Sequence, residues 1–161
     1  APWRILNEST FTILVLSIFM LGCYPEGREY MEHKELSPML EWLKKDVRTF
    51  KVLVLDNNQV YDFSLSFRYA SGYQYQTANV KVTETSPSGV ESIKEYDLKV
   101  REANGDYIGE PGLDIWDSEH LVEANKIYEE TGEYSYRIEQ NTPVDPLNFA
   151  MEIGIILDKT K

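Results

Sequence analysis

Few side chains in this sequence could do covalent or acid–base chemistry, and they lie far apart. There is one cysteine, Cys23, and there are two histidines, His33 and His120. A Cys–His nucleophile needs both groups within hydrogen-bond reach, and neither histidine sits in a motif that would secure this. The chain carries no Gly-x-Ser-x-Gly elbow, no His-Glu-x-x-His pair and no phosphate-binding glycine loop. The acidic stretch Asp106, Glu110, Asp114, Asp117 and Glu119 could offer oxygen ligands to Ca²⁺, but it lacks EF-hand spacing and reads more simply as a solvated loop. No metal site and no enzymatic activity are expected.

Binding chemistry is better represented. Tyr69, Tyr73 and Tyr75, interleaved with Gln74 and Gln76, could form an aromatic platform for a sugar or a protein partner. The competing reading places Tyr69 in the core and leaves Tyr73 and Tyr75 covering the edge of the domain. The net charge is −11, from 27 acidic and 16 basic side chains. That field repels a phosphate backbone, so nucleic-acid binding is disfavoured.

The use of Cys23 follows from what precedes it. Residues 11–21 are an apolar run, too short to span a bilayer but of the length of a signal-peptide apolar region. Met20-Leu21-Gly22-Cys23 resembles a bacterial lipobox. In such signals the cysteine thiol is joined to diacylglycerol, the chain is cut after the preceding small residue, here Gly22, and the new amino group is acylated. Stable anchoring takes more than one acyl chain, and a lipidated Cys23 meets that condition. The basic n-region is thin, since Arg4 is offset by Glu8. The expected organisation is a signal peptide over 1–22, a lipidated Cys23 with tether and short helix over 23–46, and a folded domain over 47–161. Ser37-Pro38 followed by Met39, Leu40, Leu43 and Val47 predicts a helix from Pro38 to Lys45.

The folded domain reads as strands. Tyr61, Phe63, Leu65, Phe67 and Tyr69 alternate with Asp62, Ser64, Ser66 and Arg68, which is the period of a half-wet strand. Strands are also expected at 50–55, 78–83, 90–100, 134–139 and 149–157, with a weaker one at 121–128 and an irregular edge segment at 106–116. Ile93 breaks the register of Tyr96, Leu98 and Val100, so a bulge is expected near Ser92–Lys94. Seven or eight strands between turn signals predict an all-β, antiparallel sandwich, immunoglobulin-like or jelly-roll-like, with an open barrel as a further option. Gly132-Glu133-Tyr134 is similar to the tyrosine corner of immunoglobulin-like sandwiches.

Several segments in order resemble the gliding-motility lipoprotein GldH family of Bacteroidota-type bacteria. They are Ser66-Phe67-Arg68-Tyr69, Tyr73 to Val80, Pro87-Ser88-Gly89, Gly105 to Gly109, Gly132-Glu133-Tyr134, Ile138-Glu139-Gln140 and Gly154 to Lys159. Asn141 to Leu147 departs from the family pattern, which places any partner contact of that loop in doubt. The resemblance implies a non-catalytic lipoprotein of the gliding machinery. It would be attached to the cell envelope, at the outer membrane with its domain in the periplasm or at the surface, beside other proteins of the gliding and type 9 secretion apparatus. A lipid-anchored glycan-binding module of the envelope is the alternative from another class, and an envelope hydrolase or inhibitor a third.

Overall fold

The computed structural model describes residues 26–161, and all regular structure there is strand. Eleven strands run in the order β1 Arg28–Glu35, β2 Glu41–Trp42, β3 Arg48–Val54, β4 Val60–Ala70, β5 Thr77–Thr85, β6 Glu91–Lys99, β7 Glu110–Pro111, β8 Ile115–Ile127, β9 Gly132–Gln140, β10 Leu147–Asn148 and β11 Ala150–Lys159. Every pairing is antiparallel. One sheet has the order β1-β11-β4-β8-β7 and the facing sheet β3-β9-β5-β6, with β2 and β10 forming a short ribbon. Counting only the eight long strands, the sheets read 1-8-3-6 and 2-7-4-5, which is the order of a jelly roll. The expected all-β sandwich is thereby resolved in favour of the jelly-roll form.

The core lies between the sheets. Phe63, Leu65, Phe67, Ile153, Ile155 and Leu157 project from one sheet towards Phe50, Val52, Val80, Val82, Tyr136 and Ile138 of the other, all buried. Aromatic pairs knit the layers together: Phe63 stacks on Tyr136 across the gap at 4.9 Å. Each ring buries a large apolar area, and such pairs add about 0.5–1.5 kcal/mol beyond burial alone.

Several expectations are corrected. The helix over Pro38–Lys45 does not form. Leu40 takes a positive φ of 53°, and Glu41–Trp42 pairs with Leu147–Asn148 instead. Trp42 is fully buried, its indole donating to the Asp46 carbonyl at 2.7 Å. The tether over 23–46 is displaced too, because Arg28–Glu35 is a full strand beside β11. The domain therefore begins well before residue 47. No bulge occurs at Ser92–Lys94. β6 pairs with β5 without interruption, and Ile93 lies exposed on the outer face. The weak strand at 121–128 is the end of a 13-residue strand, the longest in the structure. Its alternation is obscured by register shifts against β4 around Phe63 and by a positive φ of 53° at Asn125.

The corner at Tyr134 does form. Its hydroxyl donates to the Glu130 carbonyl and accepts from the Glu130 N–H, both at 3.2 Å. The corner thus occurs within a jelly-roll strand order. Cys23, Gly22 and the apolar run before them lie outside the described residues.

Candidate functional site

The antiparallel ladders sort the turns onto two ends of the sandwich. β1 starts, β3 ends, β4 starts, β6 starts, β8 ends and β11 ends at the same end, here called the near end because the chain enters there. A backbone bond from Lys159 N–H to the Gly27 carbonyl, 2.8 Å, closes the first and last strands together. The loops 71–76, 100–114 and 141–146 gather at the far end.

The three tyrosines of the expected platform are at the far end but do not form a surface. Tyr69 and Tyr73 are fully buried, and only Tyr75 is exposed. The Tyr69 hydroxyl donates to the Val100 carbonyl at 2.6 Å, and the Tyr73 hydroxyl donates to the Thr77 carbonyl at 2.8 Å. Burial raises the phenol of Tyr69 to about 12 and raises that of Tyr73 further. The rings pin the far-end loops. Arg101 extends this arrangement, donating to the Tyr73 carbonyl at 3.0 Å and lying 4.7 Å over the Tyr107 ring, which stacks on Trp116 at 5.2 Å. A flat stacking face for a sugar is left with one exposed ring from that set. Alternation in the sequence correctly places Tyr69 on the dry face, but nothing local says that the following loop folds back to bury Tyr73.

Both histidines are in strands, His33 in β1 within the expected tether and His120 in β8. His33 Nδ1 lies 2.9 Å from Ser66 Oγ on the outer face of the larger sheet. His120 Nε2 lies 2.9 Å from Ser118 Oγ, and that hydroxyl already donates to the Phe67 carbonyl at 2.9 Å. Burial lowers His120 to about 4, so it is neutral at pH 7. These pairs satisfy polar atoms within the sheet. Among the described residues no three His, Cys, Asp or Glu side chains converge on a metal position. Of the acidic stretch, Asp117 is held by Arg68 in a two-pronged pair at 2.6 and 3.0 Å.

A charged network that the sequence did not nominate lies between the sheets at the β6–β8 side. Lys126 reaches inward to Glu84 at 3.0 Å and Glu123 at 3.3 Å, and Lys94 reaches Glu123 at 3.3 Å. The Tyr136 hydroxyl donates to Glu84 at 2.6 Å and meets the Tyr128 hydroxyl at 2.6 Å. The cavity between them is about 60 Å³, too small for an organic substrate. Burial and the adjacent Tyr128 and Glu84 push the Tyr136 phenol far up. Leu121 and Ile127 hid Lys126 in the sequence, since an alternation that buries those two apolar residues turns Lys126 outward, whereas they are in fact exposed and Lys126 lies on the inward parity with Ser118 and His120.

Among the described residues, four strand edges are open in part: β6 pairs only with β5, β3 only with β9, β1 only with β11, and β8 has β7 on its outer side at just Asp117 and Trp116. An open edge presents unpaired N–H and C=O groups that can add a strand from another chain. The β8 edge is guarded by register shifts and by the inward-turned Lys126. The β6 edge is regular over nine residues, highly exposed, and carries both charge signs in Glu91, Lys94, Glu95, Asp97 and Lys99. Between the near-end parts of β1 and β3 runs a groove of about 470 Å³, lined by Tyr30, Val52, Val54, Tyr61 and Leu157. No helix among the described residues is long and apolar enough to cross a membrane.

Comparison with known proteins is consistent with the resemblance seen in the residues. The family described as GldH lipoprotein matches residues 28–157. The gliding motility lipoprotein GldH homolog of Christiangramia forsetii is 25% identical over 157 residues, covering 92% of this chain and 94% of that protein. A solved structure of TmCBM61 in complex with β-1,4-galactotriose covers 82% of this chain and 72% of its own at 14% identity, with a TM-score of 0.34. A likeness of that degree carries no argument about ligand.

Proposed function

Because this chain belongs to the GldH lipoprotein family, we propose that it is a non-catalytic adaptor of the gliding machinery, held at the cell envelope by lipid on Cys23. The match over residues 28–157 carries this reading, since it spans the folded domain from its first strand to its last. Diacylglycerol on the Cys23 thiol and an acyl group on its amine would supply the anchor, with Gly22 as the small residue before the cut. The membrane is taken to be the outer one, with the domain in the periplasm or at the surface.

Anchorage gives docking its advantage. Two proteins confined to one surface meet at raised effective concentration, so a modest interface suffices. The open β6 edge is the docking element favoured by the geometry, because a strand of a neighbouring envelope protein of the gliding or type 9 secretion apparatus can add there through main-chain bonds. The adaptor reading asks for no pocket and no reactive group. Photo-crosslinking in the native envelope from an amino acid placed at Ile93 tests it. Capture of a discrete envelope protein, abolished by Cys23→Ala, is the expected result. Equal capture from Ile93 and from a position on β11, or normal envelope retention of Cys23→Ala, would count against it.

A further inference from the structure

The first strand fixes which part of the domain meets the bilayer. From Cys23 to Arg28 is five residue steps, which span at most about 17 Å when fully extended. Strand β1 then runs away from that point for eight residues, about 26 Å. The headgroup layer is itself several ångströms deep. The near end is therefore kept within about 10 Å of the lipid surface, and the far end is a strand length further out. This step rests on the reading of Cys23 as the lipid anchor.

The near end also carries exposed aliphatic side chains. Leu55, Val90 and Ile127 are 79%, 67% and 65% exposed. Each lies within one residue of a strand terminus at that end, following β3, preceding β6 and closing β8. Leu53, on the wet side of β3, is exposed beside them. The far end exposes Met39 and Leu113 as well, so apolar exposure alone does not select an end. The short reach from Cys23 does. Asp56, Glu129 and Glu130 follow Leu55 and Ile127 closely in the chain at the near end, where Arg28, Lys51 and Lys159 are each already paired with a carboxylate, Lys159 with Glu29 at 2.7 Å. Such a rim disfavours an anionic surface and suits a zwitterionic one.

We propose that the domain stands end-on at the bilayer, with Leu55, Val90 and Ile127 dipping into a zwitterionic headgroup layer beside the anchor. The anchor supplies retention, and the aliphatic set supplies orientation. The far-end loops and the upper part of the β6 edge are thereby turned away from the membrane, towards a protein partner.

The test uses the full lipidated chain in phosphatidylcholine vesicles. Single variants Leu55→Cys, Val90→Cys, Ile127→Cys and, at the far end, Leu113→Cys are labelled with an environment-sensitive fluorophore. Cys23 takes no label when it is lipidated. The expected result is a blue shift and quenching by bilayer-embedded spin-labelled lipid at 55, 90 and 127, with neither at 113, and weaker quenching as phosphatidylglycerol replaces phosphatidylcholine. Vesicle-bound protein whose labels at 55, 90 and 127 stay unquenched, or are quenched no more than the label at 113, overturns the end-on contact and leaves the anchor standing. Protein that does not float with vesicles, and that takes a second label at Cys23, overturns the anchor and this inference with it.

Discussion

His33 on β1 reaches Ser66 on β4 at 2.9 Å although β11 lies between their strands, and it does so because the residue between them is Gly154. The three residues form one cross-strand row on the outer face, and a Cβ at Gly154 would lie 2.3 Å from Ser66 Oγ and 2.7 Å from His33 Nδ1. A missing side chain thus lets an edge strand bond to the strand beyond its neighbour. This edge strand is the one through which any load from an N-terminal anchor would enter the domain.

Gly154→Ala is expected to destabilise the domain by about 2–3 kcal/mol, the scale of an overpacked site with no free volume to relax into. His33→Ala, which removes only a half-exposed hydrogen bond, should cost about 0.5–1 kcal/mol. Urea melts of both variants check the order, and a harmless Gly154→Ala would refute the crowding argument.

Stability should fall as pH drops from about 6.5 towards 4, partly through His120. Its native value is depressed to about 4 by burial, so between that value and the ordinary one the unfolded chain binds the extra proton and gains from acid. The contribution is between about 1 and 3 kcal/mol once partial exposure is allowed for. The measurement is a comparison: His120→Gln should lose less stability than the parent between pH 7 and pH 4.5. Parallel losses would remove His120 from the explanation.

Lys126 is the hub of the inter-sheet network, and removing it strands Glu84. Lys126→Ala is expected to cost about 3 kcal/mol, because Glu84 is then left part-buried without a cation, while Glu123 keeps only Lys94. The triple variant Lys126→Met, Glu84→Gln, Glu123→Gln should recover most of that loss. Thermal melts of the two would disprove the network's role if the triple variant were the less stable.

Tyr73 and Tyr75 should part company despite their spacing. Tyr73→Ala should cost about 3–5 kcal/mol, as expected for a fully buried ring. Tyr75→Ala should lie within about 0.5 kcal/mol of the parent. Any ligand contact from this segment is therefore tested with Tyr75 alone, since loss of binding in a Tyr73 variant would report unfolding.

Local pattern was enough to place the strands at 61–69, 78–83 and 134–139, because side-chain alternation follows from the backbone pleat and needs no partner. It also identified the corner at Tyr134 and the family. β1 escaped because an edge strand at the rim tolerates charge on its inner side. There Glu32 and Lys34 pair with each other at 3.6 Å, and Lys34 reaches over the Phe50 ring. The segment at Pro38–Lys45 looked helical because the spacing of Met39, Leu40 and Leu43 suits a helix. The ribbon with Leu147–Asn148, a partner about a hundred residues away, decided otherwise. The same holds for the site. Composition and the Gly22-Cys23 signal carry the expectation of an anchored, non-catalytic protein. Which edges stay open, which tyrosines are buried and which end carries Leu55, Val90 and Ile127 depend on pairings between distant segments, and those are set only when the two sheets close on their shared core.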